Sequence, residues 1–535
     1  MKYRLPPVFL SCTLLLLSVA ATATEEPFAP SCKAQLSADF DHAVTLLHSF
    51  EYPETTGLFR KILQQDPDCA MARWGIAMSI WHPLWAPPSA AELSEGAALL
   101  APIDEALLSD REALYVHALR AFFSDTNPSH HRQRVAAYTA RMQQLYERHL
   151  DNTDAVAFYA LSLLALASTD PADKSYSLQY KAGSILAWLR ETQPGHPGAL
   201  HYTIHSYDYP GLAHLALGAA MIYADAAPDS AHAQHMPSHI FTRLGLWNQS
   251  ISSNHDSTAS ATEYTHRAGL SGHYDEGLHS IDYLMYAYLQ TARDDDAARL
   301  LASLGQIGKT NVDNFKVAYT YAASPARYAL ERRQWREASE LELSPGDFPW
   351  EQFPWANSMH HFARALGAAR SANLERARTE LGIIHRLKSA MSKDTLAYWR
   401  EEVFVQEDAV SSWIAYAEGN TEAALAMAQA AADREDAVDK HPVTPGEILP
   451  ARELYADMLL EAGRSREALD QYQRVLNTSP NRYNAVLGAA RAAQAATLHE
   501  VATLYYSLLL EIAGHNAASR DSLEEARRFV SGETA

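Results

Sequence analysis

The chain has 535 residues, of which 47% are hydrophobic and 20% charged, and its formal net charge is −20. That balance is globular and excludes a largely disordered chain. So much negative charge, with no run of Lys and Arg to offset it, argues against a nucleic-acid partner.

The N-terminus reads as an export signal. Lys2 and Arg4 form a positive start, Val8 to Ala21 is an apolar stretch, and Ala21-Thr22-Ala23 fits an A-x-A cleavage site. The apolar run is short for a spanning helix. Cleavage after residue 23 removes two positive charges, Lys2 and Arg4, and takes −20 to −22. No later stretch is long and apolar enough to span a bilayer, so the chain from residue 24 onward is expected to be soluble, and periplasmic or secreted. Two cysteines remain, Cys32 and Cys69. In an exported protein such a pair suggests one disulfide, with two buried thiols as the alternative.

Residues 37–80 carry apolar positions at helical spacing, interrupted at Asp66-Pro67-Asp68. Residues 82–95 are Pro-rich and read as a loop, with Ser94 or Asp104 as later helix caps. Helical patterning returns over 105–123, 130–149, 153–167 and 175–191. Alternation of period two, the mark of a strand, is not found. The expected fold class is all-α.

The C-terminal part carries the cleanest repeat. From a start at Ile448-Leu449, Gly463, Ala468, Tyr472, Val475 and Pro480 stand at offsets 15, 20, 24, 27 and 32. Each residue type has a physical role: Gly463 breaks a first helix, Ala468 allows a close crossing, Tyr472 fills the groove and Pro480 ends the second helix. The same frame recurs at Gly419, Ala424 and Ala431, and more loosely around Trp335, Asn373 and Asp294. These offsets resemble the tetratricopeptide repeat, a 34-residue helix-turn-helix unit. About eight to ten units are expected, in one continuous right-handed α-solenoid over residues 24–535, each unit burying its apolar face on its neighbours. The whole chain also resembles a group of long exported bacterial tetratricopeptide-repeat proteins, through the blocks HPGALHYTIHSYDYP, HAQHMPSHIFTRLGLW, DYLMYAYLQ, FARALGAARSA and HPVTPGEILPAREL. That resemblance implies the fold and the export, and no reaction.

The histidines point to function. Eleven of the 24 lie between His196 and His279. His201 and His235 are 34 residues apart, and so are His205 and His239. Within the unit starting at Pro197, His201, His205 and Asp208 take positions 5, 9 and 12; within the unit starting at Ala231, His232, His235 and His239 take positions 2, 5 and 9. At 3.6 residues per turn these positions share one helix face, the face that lines the groove of a repeat array. A third helix offers His279, Asp282 and Tyr286 with the same spacing. Histidine-rich ligation with a carboxylate suits zinc, iron or copper. His201, His205, His235 and His239 are thus the principal candidate ligands, with Asp208, His279 and Asp282 beside them and Arg327 as a partner for a carboxylate. Pro237 complicates the geometry: if a helix begins there, His232 and His235 precede it and the four-histidine arrangement weakens. His196, His214, His255, His266 and His273 read as turn or surface residues. Three readings stay open: a metal-binding repeat protein, a metal-dependent enzyme using the same site, and a scaffold that binds a peptide or partner protein in its groove without metal. No phosphate-binding loop, dinucleotide fingerprint or G-x-S-x-G elbow is present.

Overall fold

The computed structural model describes residues 28–532 apart from 86, 393, 394 and 516. The expected export signal lies outside the described residues. Within them the chain is built from helices that pack in consecutive pairs. The pairs are α1 (Ser37–His48) with α2 (Tyr52–Gln65), α3 (Ala70–Ile80) with α4 (Ala90–Leu100), α5 (Asp110–Phe122) with α6 (His131–Arg148), and α7 (Thr153–Ser168) with α8 (Ser177–Thr192). Then come α9 (Pro197–Tyr207) with α10 (Leu217–Ala226), α11 (Ala231–His235) and α12 (Pro237–Arg243) together with α13 (Trp247–Arg267), and α14 (Asp275–Gln290) with α15 (Asp294–Leu304). The series continues with α16 (Phe315–Glu331) and α17 (Trp335–Ser339), α18 (Pro354–Arg370) and α19 (Leu374–Ala390), α20 (Ala397–Ala417) and α21 (Thr421–Asp436), α22 (Ala451–Glu461) and α23 (Ser465–Thr478), and α24 (Tyr483–Ala495) and α25 (His499–Ala513), closed by α26 (Asp521–Ser531). Counting α11 and α12 as one interrupted helix, α1 to α25 make twelve pairs, more than the eight to ten expected. The extra pairs lie near the N-terminus, where little of the repeat pattern is legible.

The molecule is an all-α solenoid of helix-turn-helix units. First helices of successive units touch one another, as α14 does α16, and α16 does α18. The α22–α23 unit shows why its sequence folds this way. Gly463 takes φ +78° at the turn, a region closed to most side chains. Ala468 is fully buried where the helices cross. Tyr472 lies against Gly488, where a β-carbon would stand 2.3 Å from its ring, so only glycine admits the tyrosine. The α4 cap is Ser89, in a capping box with Glu92, rather than Ser94.

Two features go beyond a simple stack. Cys32 and Cys69 form a disulfide, with Cα atoms 4.7 Å apart, fixing the start of the chain to α3. The last pairs also return to the middle of the chain. Trp247 Nε1 donates to the Asn481 carbonyl at 2.9 Å, and Tyr483 N donates to Gln290 Oε1 at 2.9 Å. Gly245, at φ +65°, lies so close to Pro480 that a β-carbon there would be 2.4 Å from its carbonyl oxygen. The units therefore do not meet only their sequence neighbours.

The inner face is filled by the chain itself. The segment 440–447 runs along α9, α14 and α16. Tyr283 Oη donates to the carbonyls of Pro442 and Thr444 at 3.0 and 3.1 Å. Arg327 donates to the carbonyls of Gly446 and Glu447. The His441 ring lies 5.2 Å from that of Trp399.

Candidate metal centre

Pro237 does start α12, but it does not disperse the histidines. Met236, between α11 and α12, has helical angles (φ −54°, ψ −36°), so the helical path continues through the junction. A proline in a first turn forfeits an N–H that has no helical partner there.

Six imidazoles meet on the inner face in two groups of three. The first joins His201 and His205 of α9 with His232 of α11; the second joins His235 of α11 and His239 of α12 with His279 of α14. In each group the nitrogen atoms on offer lie within 4.8 Å of one another. The expected set of His201, His205, His235 and His239 is thus divided between two groups, each completed by a histidine from the next first helix. The His205 and His239 rings, one from each group, have centroids 6.5 Å apart.

The outer nitrogens fix the tautomers. His201 Nδ1 lies 2.7 Å from the backbone oxygen of His48, which only accepts, so Nδ1 carries the proton and Nε2 presents a lone pair. His235 Nδ1 lies 2.7 Å from Asn254 Oδ1; that amide is oriented by Asn254 Nδ2 donating to the Ser250 carbonyl at 2.7 Å. His239 Nδ1 donates to Asp208 Oδ2 at 2.9 Å. His232 Nδ1 faces Glu276 Oε2 at 3.4 Å, and Glu276 is in turn held by Lys316. The inner atoms then face one another. His235 Nε2 and His239 Nε2 are 3.0 Å apart, and His201 Nε2 lies 3.2 Å from His232 Nε2 and 3.0 Å from His205 Nε2. His205 with its proton on Nε2 would donate to His201 Nε2, whereas at His235–His239 and His201–His232 two lone pairs face each other and repel unless a proton or another cation stands between them.

A proton is disfavoured. Burial holds His201, His205, His235 and His279 well below the usual histidine range, and neighbouring imidazoles push the same way. Burial lowers His239 too, against the pull of Asp208. Burial would raise Asp208, but Lys440, Arg243 and His239 outweigh it and keep its carboxyl ionised. His201, His205, His235, His239 and His279 therefore favour the neutral imidazole. Carbonyl or carboxylate oxygens stand behind His201, His235 and His239, the arrangement that orients ligands around transition metals. His279 Nδ1 is buried without a hydrogen-bond partner. The surroundings are aromatic: Phe50 packs 4.4 Å from His201, and Tyr283 4.7 Å from His235.

The two carboxylates proposed from sequence take other places. Asp208 caps α9 and stands behind His239, where Arg243 Nε also reaches it at 2.9 Å. Asp282 is in neither group; it is fully buried against Arg327, with Nε 3.2 Å from its Oδ1. Tyr286 lies beside Arg482, whose Nη1 is 3.0 Å from its hydroxyl. Of the histidines read as turn or surface residues, His196 is buried; its Nε2 is 3.5 Å from Asp154 Oδ1, which His48 Nε2 meets at 2.9 Å. That network is satisfied by its own hydrogen bonds. Sequence reasoning missed His48, Asn254, Glu276 and Lys316, whose roles come from packing across long stretches of chain. Arg452 and Glu453 form structural ion pairs, Arg452 with Asp433 and Asp436, Glu453 with Arg482.

No family model and no curated protein matches the chain. Among solved structures it is similar to the TPR domain of P58(IPK), at 14% identity and a TM-score of 0.22 over 70% of this chain and 98% of that one. It is also similar to yeast Tom70, at 12% identity and a TM-score of 0.27 over 92% of this chain and 94% of that one. The fold assignment rests on the helix pairing described above.

Proposed function

We propose that this chain is an exported helical-repeat protein whose inner face binds a transition metal through buried imidazoles. The observation that carries this reading is the pairing of His235 and His239, whose protons are directed outward and whose inner nitrogens converge at 3.0 Å. Imidazole donors without a thiolate or carboxylate in either group favour zinc or copper over iron. Export is supported by the N-terminal sequence and agrees with a disulfide between Cys32 and Cys69. An ion held by three imidazoles keeps a fourth position for water, which is the form a metal-dependent hydrolytic or redox activity would use. A peptide-binding scaffold is the alternative suggested by a repeat architecture, but segment 440–447 already lies along the inner face, so a guest would have to displace it.

The test is metal analysis of untagged protein produced with its own leader. One or more equivalents of zinc or copper, lost in His201→Ala/His235→Ala, is the expected result. Less than one equivalent, both as purified and after incubation with either ion and dialysis, overturns the reading.

A further inference from the structure

The two imidazole groups are related by one step of the repeat. Each uses an i, i+4 histidine pair on one first helix, His201 with His205 or His235 with His239, and a third histidine, His232 or His279, from the next first helix. The third histidine sits at the same place each time, three residues before the next register position. His232 precedes His235 by three, and His279 precedes Asp282 by three. At Asp282 and Tyr286 the pattern stops: the places of a third histidine pair are taken by an acid neutralised by Arg327 and by a phenol. Thus the fold contains two copies of a site and the beginning of a third that is closed by an ion pair.

The copies differ in surroundings. His235, His239 and His279 are all buried, and Tyr283 over them is tied to the carbonyls of Pro442 and Thr444. In the first group His201 and His232 are buried, and His205 is mostly buried with one part reaching the surface. It lines a cleft of about 350 Å³ with Trp85, Tyr398, Lys440 and His441. The Lys440 ammonium, buried at the cleft, has no hydrogen-bond partner and meets Asp208 only at 3.5 Å. The cleft joins an apolar wall, the edge of one imidazole group and the Lys440 cation, and its lining also carries the carboxyls of Asp170, Asp173, Asp208 and Asp439. It therefore opens the first group, and not the second, to a small ligand from outside.

Resting on the metal reading above, we propose that the chain binds two ions, one in each three-imidazole group, and that only the ion at His201, His205 and His232 accepts an external ligand, a small molecule that reaches it through the cleft lined by His205. The ion at His235, His239 and His279 is enclosed and keeps a fixed coordination.

Cobalt(II) titration of the metal-free full chain tests this, because three-imidazole cobalt absorbs in the visible. Absorbance should rise to a break at two equivalents, and azide should then perturb about half of the intensity. His205→Ala should bind one equivalent fewer and lose the azide response; His279→Ala should bind one fewer and keep it. Should either variant fail to fold by circular dichroism, the wild-type break point and its azide-sensitive fraction decide alone. A break at one equivalent, or an azide effect on both ions, overturns the two-ion reading while leaving metal binding standing. No cobalt bound at all sinks both.

Discussion

The Nε2 atoms of His235 and His239 stand 3.0 Å apart while their Nδ1 protons point away, to Asn254 and to Asp208. An aligned pair of acceptors of this kind is built by the groups behind the rings, so those groups are where affinity can be tuned without touching a ligand. Asp208→Asn preserves shape but removes the charge that His239, Arg243 and Lys440 share. Affinity at the second imidazole group should fall about 10–100-fold, with a smaller change at the first group, whose His205 feels the Asp208 charge only through space. Competition against a chelator of known affinity measures both, and an unchanged second-group affinity would show that His239 is not held through Asp208.

Arg327 and Asp282 are both fully buried, and Arg327 also secures the carbonyls of Gly446 and Glu447. Removing one member of a buried ion pair leaves the other uncompensated, at a cost of about 3–5 kcal/mol. Arg327→Met should destabilise by that order in urea unfolding, and Arg327→Met/Asp282→Leu should recover a large part of the loss. If the double variant is no better than the single one, the carbonyl contacts to segment 440–447 outweigh the ion pair.

Glu402 is a buried carboxyl near Glu447, and burial, reinforced by Glu447, pushes its pKa up to about 8. Its folded value thus lies above its unfolded one, and the protonated form is the one the fold prefers. The associated stability is complete below about pH 4.5 and is lost as pH rises toward 8. Glu402→Gln should flatten this decline and raise the melting temperature at pH 8 by roughly 1–3 °C, with little change at pH 4.5. Calorimetry at the two pH values checks the sign; a variant less stable at pH 8 contradicts it.

The Cys32–Cys69 disulfide spans 37 residues of sequence. A closed loop of that length is worth about 3–4 kcal/mol through the unfolded chain. Cys32→Ser/Cys69→Ser, or reduction with the fold otherwise intact, should lower the melting temperature measurably and leave metal stoichiometry unchanged. A loss of bound metal on reduction would show that α1 is needed to hold His201 through the His48 carbonyl.

Much of the helical frame is legible in the sequence, because 3.6-residue periodicity and turn glycines act locally. Gly463, Ala468 and Tyr472 each do in the structure what their residue types imply. The histidines are legible as well, since duplication at a 34-residue spacing survives without knowledge of packing. What the sequence hides is the partition. His232 belongs with His201 and His205, not with its own helix neighbours, because adjacent first helices are offset when they pack. Nor can spacing reveal His48, which lies 153 residues from the ring it orients, or the return of segment 440–447 to the inner face. Asp282 illustrates the opposite error: correct in register, it is turned toward Arg327, a partner the next first helix supplies.

The return of the last pairs to the middle of the chain changes how the whole array behaves mechanically. A stack of repeats joined only to neighbours is a spring, able to stretch and to peel from either end. Here Asn481 is bonded to Trp247 and to Gly245, and Arg520 to Asp294, across 226 to 236 residues. Those ties turn the second half of the spring into a hoop. Its curvature is set by fastening rather than by the sum of small rotations, and α12 and α14, which carry His239 and His279, sit on or beside the fastened arc.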